Sequence, residues 1–443
     1  MGMISLVLSG LSAFMGIWML VRTPSGLVGG MLWLPKLWAG SWAPFLGMAG
    51  ALGALLGLGV GSPLSVGLGL FGAVAASISI VRAIAPHNEF AQAFGQDWKA
   101  RIPPGLAARM PRQRYTLIQP EPRIGRGHRD LTLRAGDEAG GPLLADLWEP
   151  ADGVPRTGLA LVFLHGGLWQ ALDKDFLTQP LFRRLAGQGH VVLDVAHSLA
   201  PAADMSHILA DVKQAIAWMK THAAEYGVDP GRIVLLGASG GGHLALLAAY
   251  TPNDPAFQPD DVLADTSVRA VVSIFGVTDL TAFFEEYGRA NPRQPQSSAQ
   301  ITGDLRPRVY DKTFLDRLMT RTRAFPTYRH GNMPGGPLLL VYLLGGTLKE
   351  APEAYRHYSP IAHVGPHCPP TLQLLADNDF AVDASHGRRL DHALRTAGIP
   401  SIYIEYPGTV HGFDQYFGVS RRIAPAAQVA TYDLEQFLAL MFA

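Results

Sequence analysis

Apolar residues fill roughly the first eighty positions almost without interruption, and beyond residue 130 the chain changes to short apolar runs separated by amphipathic stretches. Residues 3–21, 44–61 and 64–81 each come close to the roughly 17–25 apolar residues that cross about 30 Å of hydrocarbon as a helix. The pattern predicts three spans. Residues 27–42 are apolar as well, but Pro35 and Lys36 interrupt them and Gly and Trp are frequent, which predicts an interfacial or re-entrant segment rather than a fourth span. Residues 83–129 have little periodicity and carry Pro103, Pro104, Pro111, Pro120 and Pro122, so they read as a juxtamembrane linker stiffened against helix continuation.

In the remainder, residues 131–135 and 143–148 alternate apolar and polar positions, as half-buried strands near a sheet edge do. Continuous apolar runs follow at 159–164, 191–195, 233–236, 270–275, 371–375 and 401–405. Runs of that length without alternation suit strands buried on both faces of a parallel sheet. Between them Ile208, Leu209, Val212, Ala215, Ile216 and Met219 recur at helical spacing. The order of strand and helix predicts an α/β fold, a mostly parallel sheet with helices on both faces. In such sheets the active residues gather at the C-terminal ends of strands.

Charge sharpens the division. The 443 residues carry 36 Lys+Arg and 36 Asp+Glu, yet residues 1–82 hold only Arg22, Lys36 and Arg82 and no acid. The neutral total is therefore an average over an apolar anchor (1–82), the linker (83–129) and a domain of ordinary soluble composition (130–443). It excludes a single uniform globule, a disordered chain and a basic nucleic-acid binder. Arg22 and Lys36 lie between the first two spans, and Arg82, Lys99, Arg101, Arg109 and Arg112 follow the third. The positive-inside tendency makes the chain a multi-pass membrane protein with its N-terminus outside and its C-terminal domain cytoplasmic. No ionisable residue occupies the middle of a span, so the segment reads as an anchor rather than a transport pathway. No basic residue precedes Ile4, so cleavage as a secretory signal is not expected. The single cysteine, Cys368, excludes an intramolecular disulfide and a Cys-based metal cluster.

The chemistry sits at the predicted strand ends. After the run ending at Leu236 comes Gly237-Ala238-Ser239-Gly240-Gly241, followed by a helical pattern. Small residues permit a sharp strand-to-helix turn that lifts a serine hydroxyl clear of the sheet. An earlier run ends in His165-Gly166-Gly167-Leu168-Trp169. Its glycines let backbone N–H groups face the nucleophile, which makes Gly166, Gly167 and Leu168, with Gly240, the candidate oxyanion hole. A serine nucleophile needs a base, and the base needs an orienting carboxylate. The run 371–375 leads into Asp377-Asn378-Asp379, and 401–405 leads into a loop containing His411. His411 is the candidate base. Asp379 is preferred as the acid over Asp377 and Asp383, because the second position can reach back to the histidine. His386 and His392 fall on the intervening helix and read as surface or packing residues, while His243 reads as packing behind the serine turn.

Together His165-Gly166-Gly167, Leu199-Ala200-Pro201, Asp229-Pro230-Gly231-Arg232-Ile233, the Gly237-to-Leu246 stretch and Tyr406-Pro407-Gly408 with His411-Gly412-Phe413 resemble the α/β-hydrolase superfamily. Within it, the pattern over residues 130–440 is similar to hormone-sensitive-lipase-like and bacterial feruloyl-esterase-like carboxylesterases. Leu344-Gly345-Gly346-Thr347 followed by Ser359-Pro360 resembles the latter group. The resemblance implies Ser239 as nucleophile, Asp379 as acid and His411 as base, acting on carboxylic esters without a cofactor. The chain departs from the family where Leu168 replaces a frequent third glycine, Gly240 a frequent alanine, and Leu375-Ala376 a His-Gly pair. His165-Gly166-Gly167-Leu168-Trp169 also resembles a motif of kynurenine formamidases, and prenylcysteine methylesterases combine similar motifs with N-terminal spans. Either would change the substrate and keep the triad. A catalytically silent membrane interaction protein is the reading from another class, and the intact Ser, Asp and His speak against it.

Residues 281–336 break the strand-helix rhythm and read as a lid insert. Between Arg289 and Arg329 nine Lys/Arg stand against three Asp, so this insert is expected to meet anionic lipid head groups. No H-E-x-x-H occurs, and His363 and His367 are separated by Gly365 and Pro366, so no catalytic metal is expected. The expected partners are the lipid bilayer and an apolar or membrane-borne ester.

Overall fold

The computed structural model of the chain describes all residues except 25–26, 120–124, 137–140, 201, 260–261, 263, 291–336, 414–421 and 443. The apolar N-terminal segment forms α1 (Gly2–Leu20), α2 (Leu27–Ser41), α3 (Ala43–Gly59) and α4 (Pro63–Ala83). α1 and α4 are each long and apolar enough to cross a membrane. A third span results if α2 and α3, bent by 74° at residue 42, count as one. The Leu32–Ser41 part of α2 thus meets α3 at a sharp angle. Small residues bring α1, α3 and α4 together: an added methyl at Gly53 would overlap Ser9, and one at Gly72 would overlap Ser12. Ser5 and Ser12 donate to the carbonyls of Gly53 (3.0 Å) and Leu46 (2.7 Å). Such close small-residue contacts let the helix backbones approach one another.

The predicted strands form within one or two residues of their expected ends, except β1, which starts five residues earlier. They are β1 (Arg126–Arg134), β2 (Leu143–Glu149), β3 (Ala160–Leu164), β4 (Val191–Ala196), β5 (Ile233–Ala238), β6 (Ala270–Ile274), β7 (Thr371–Ala376) and β8 (Ser401–Tyr406). They make one sheet in the order β1-β2-β4-β3-β5-β6-β7-β8. β1, β2 and β4 pair antiparallel, and the pairs from β4 through β8 are parallel. β2 lies beside the edge strand β1, near the sheet edge as expected, but between β1 and β4 it is buried on both faces rather than half-buried.

The continuous apolar runs exist because both faces of the central strands are covered. Ala160, Val162 and Leu164 of β3 face one core, and Leu161 and Phe163 face the other. Two short helices, α5 (Glu89–Phe94) and α6 (Pro104–Ala107), precede β1. Helix α7 (Gln179–Gly187) follows β3, and α8 (Met205–Thr221) follows β4. All six apolar residues predicted on α8 are buried in the first core, each contributing about 1–3 kcal/mol by leaving water. Next come α9 (Gly240–Tyr250), α10 (Leu280–Ala290), α11 (Pro337–Leu344), α12 (Pro352–His357), α13 (Ser385–Thr396) and α14 (Pro425–Phe442). α7 and α14 cover the second core.

The linker is more than a tether. Phe90, Ile102, Leu106 and Met110 are buried in the second core, so this stretch of the linker packs onto the sheet. The basic insert lies almost entirely at 291–336, outside the described residues.

Candidate active site

β5 runs buried into Ala238, and the chain then reverses through Ser239 at φ +54°, ψ −120° to start α9. That left-handed backbone is costly for a residue with a side chain, and its surroundings enforce it. The Ser239 N–H donates to the Ile274 carbonyl at 2.8 Å and the His243 N–H donates to the Ser239 carbonyl at 3.0 Å. A methyl at Gly237 would overlap the Gly241 backbone, and one at Gly241 would overlap the Leu164 carbonyl. The turn therefore needs both glycines.

The loop after β8 brings His411 Nε2 to 3.1 Å from Ser239 Oγ. The loop after β7 brings Asp379 Oδ2 to 2.7 Å from His411 Nδ1. Asp379 Oδ1 accepts the N–H groups of Ala381 (2.8 Å) and Val382 (2.9 Å), which orients the carboxylate. The other candidate acids are engaged elsewhere: Asp377 Oδ1 accepts the Gly408 N–H at 2.7 Å, and Asp383 Oδ1 accepts the Ser385 N–H at 2.8 Å. Burial holds the Asp377 carboxyl above its ordinary range. Of the predicted bystanders, His386 packs against Thr278 and Glu286. His243 is buried, its Nε2 2.7 Å from the Tyr358 carbonyl, and burial lowers its pKa to about 4. It stays neutral at ordinary pH.

The predicted oxyanion loop passes directly over the serine. A methyl at Gly166 would lie 3.3 Å from Ser239 Cβ, and one at Gly240 would lie 3.2 Å from the Trp169 nitrogen. Gly167, Leu168 and Trp169 have φ of +105°, +53° and +57°. This left-handed run accounts for a frequent glycine at position 168, since leucine there is strained. Gly240 N–H lies in the first turn of α9, where a helix has no acceptor of its own. An arrangement of this kind can activate a hydroxyl, shuttle its proton and solvate an oxyanion.

Sequence reasoning missed the aromatic walls. The Phe275 ring lies 4.3 Å from the His411 ring, and Phe380 lies 6.2 Å away on the other loop. Phe275 was visible only as the end of an apolar run; its φ of +41° had no signal in the sequence. Among the described residues no three His, Cys, Asp or Glu side chains gather as metal ligands.

Residues 146–311 match the BD-FAE family model. Over 349 residues the chain is 29% identical to Esterase LipQ of Mycobacterium tuberculosis, covering 77% of this chain and 72% of that protein. It is 31% identical over 301 residues to the probable carboxylic ester hydrolase LipM of the same organism, covering 67% of this chain and 58% of that one. The chain thus spans between about three fifths and three quarters of the length of these relatives. A solved structure of a truncated carbohydrate esterase from gut microbiota superposes with TM-score 0.51 over 73% of this chain and 99% of that chain, at 19% identity. At that identity the likeness is one of fold. Strand order, serine turn and relatives converge on one reading: the chain is an ester-hydrolysing enzyme with an α/β-hydrolase fold.

Proposed function

We propose that the chain is a membrane-anchored serine esterase working through an acyl-enzyme. The observation that carries this is the line from Ser239 through His411 to Asp379, with contacts of 3.1 Å and 2.7 Å. Ser239 Oγ attacks the ester carbonyl carbon while His411 Nε2 takes its proton. Asp379 keeps the imidazole in the required tautomer and stabilises it when charged. Backbone N–H groups of Gly167, Leu168 and Gly240, with Gly166 shaping the loop, receive the developing oxyanion. His411 returns the proton to the departing alcohol, the C–O bond to it breaks, and an acyl-Ser239 remains. Water, deprotonated by the same histidine, releases the acid.

The anchor supports an apolar or membrane-borne ester as substrate. Val7, Leu11, Phe14, Leu55, Leu58, Phe71, Val74 and Val81 are exposed on α1, α3 and α4, an apolar girdle suited to lipid. The basic residues flanking it favour a cytoplasmic catalytic domain.

The test is Ser239→Ala against wild type on acyl esters of increasing chain length and an aryl formamide, with fluorophosphonate labelling of the serine. Loss of ester turnover and of labelling together is the expected result. Equal turnover by both proteins would sink the reading, and a preference for the formamide would replace the ester by an amide substrate at the same triad. Protease accessibility in sealed vesicles tests the side of the membrane.

A further inference from the structure

Both loops that carry the proton-handling groups are held from outside the hydrolase domain, by Arg22 and Thr23 just after α1 and by α2. The Thr23 N–H donates to Asn378 Oδ1 at 3.0 Å, and the Thr23 hydroxyl donates to the Asn378 carbonyl at 3.1 Å. Arg22 donates to the Asp377 carbonyl at 3.3 Å. These bonds fall on the two residues immediately before Asp379. On the other loop, the Trp33 indole N–H donates to the carbonyl oxygen of His411 itself at 2.5 Å. The Trp33 ring also lies 6.0 Å from that of Phe380 and packs beside Gly412.

The loops need such support. His411 stands between Gly408 and Gly412, both left-handed at φ +74° and +78°, and glycines leave a backbone free to leave one conformation for another. Thr23 and Asn378 are buried, so their paired bonds are shielded from competing water. The supporting segment is itself fixed. Lys36 of α2 reaches back to the end of α1, donating to the carbonyls of Trp18 (3.2 Å) and Val21 (2.5 Å). It thereby satisfies orphan acceptors at a helix C-terminus.

We propose that the α1–α2 segment of the anchor is a positioning element of the active site, with Trp33 and Thr23 holding the backbones of the base and acid loops so that His411 and Asp379 line up on Ser239. The proposal rests on the triad reading above. Neither residue touches reacting atoms, so their loss acts on alignment and therefore on kcat, because small misplacements at a reacting centre cost up to about 100-fold. The anchor then does more than tether: removing its register with the domain would disarm the site.

The experiment uses the full chain in phosphatidylcholine nanodiscs, measuring kcat and KM on a short-chain aryl ester and the rate of fluorophosphonate labelling. Trp33→Phe keeps the ring against Phe380 and removes the donor. Its kcat and labelling rate should fall together by about tenfold with KM and thermal unfolding unchanged. Thr23→Val should move both rates in the same direction. Trp38→Phe, altering an exposed indole of the same helix, should change neither. Should Trp33→Phe fail to fold, Thr23→Val decides, since it exchanges a hydroxyl for a methyl of similar size. Wild-type kcat and labelling in both variants would overturn the proposal, as would a rise in KM at constant kcat. An inactive Ser239→Ala beside unaffected Trp33 and Thr23 variants removes the positioning role alone; an active Ser239→Ala removes the triad reading beneath it.

Discussion

Asp379 divides its carboxylate between two tasks: Oδ2 faces His411 Nδ1 at 2.7 Å, while Oδ1 is held by the N–H groups of Ala381 and Val382 at 2.8 and 2.9 Å. The second task makes the first directional. Asp379→Asn should keep the fold, since an amide oxygen still accepts both N–H groups, yet present the wrong tautomer to Ser239. kcat should drop on the order of 10⁴-fold. Asp377→Asn, whose oxygen still accepts from Gly408, should retain near-wild-type kcat. The reverse order in steady-state kinetics would reassign the acid.

The serine turn should tolerate side chains unequally. Gly241→Ala drives a methyl into the Leu164 carbonyl, and Gly237→Ala drives one into the Gly241 backbone. Backbone cannot rotate away as a side chain can, so each should lose about 3 kcal/mol or more of stability. Gly240→Ala meets the Trp169 backbone nitrogen at 3.2 Å, against the 2.1 Å overlaps of the other two, and should fold. Thermal unfolding of the three variants checks the ranking, and equal melting temperatures would contradict it.

Arg184 and Glu435 join α7 to α14 by a two-pronged pair, with Arg184 Nη2 3.1 Å from Oε2 and Nε bonded to Oε1. The Glu435 side chain is fully buried. Arg184→Met leaves that carboxylate without its charge partner and should cost about 3–5 kcal/mol. Arg184→Met with Glu435→Leu should recover most of the loss, because the buried charge is gone. A double variant as unstable as the single one would argue that packing rather than charge is at stake.

His190 gives stability a pH dependence of known sign. Burial lowers its pKa from 6.5 to about 3, so between those values the unfolded chain binds a proton that the native state refuses. Stability from this group is complete above pH 6.5 and is lost as the pH falls toward 3. Buried Asp194, held well above its ordinary range by burial, works in the opposite direction, so the comparison must isolate His190. Relative to His190→Gln, wild type should lose melting temperature steadily as pH drops from about 6.5 to about 4. A constant difference between the two would refute the assignment.

The strands could be read from the chain because both faces of the central sheet are buried, which turns each strand into an unbroken apolar run. Ser239 could be read because its turn tolerates so few residue types that the glycines around it become a signature. The packing of Phe90, Ile102, Leu106 and Met110 could not. Their burial comes from the sheet face they cover, and short helices broken by proline leave no period to detect. Trp33 escaped for a similar reason: in an apolar segment a tryptophan reads as an interface residue, and its partner lies 378 positions away.

Local chemistry therefore determined the strand and helix runs, the apolar N-terminal helices, the glycine-enforced serine turn and the short set of acids and histidines at strand ends. Each depends on a residue and its near neighbours, through backbone sterics or through the length and burial of one element. The tertiary structure decided which acid meets the histidine and what steadies both. Those choices follow from β7 and β8 pairing in parallel register, Ala376 beside Tyr406, which sets the two loops side by side, and from Trp33 of α2 reaching the His411 carbonyl. Contacts of that kind join residues hundreds of positions apart, and no local pattern encodes the distance between them.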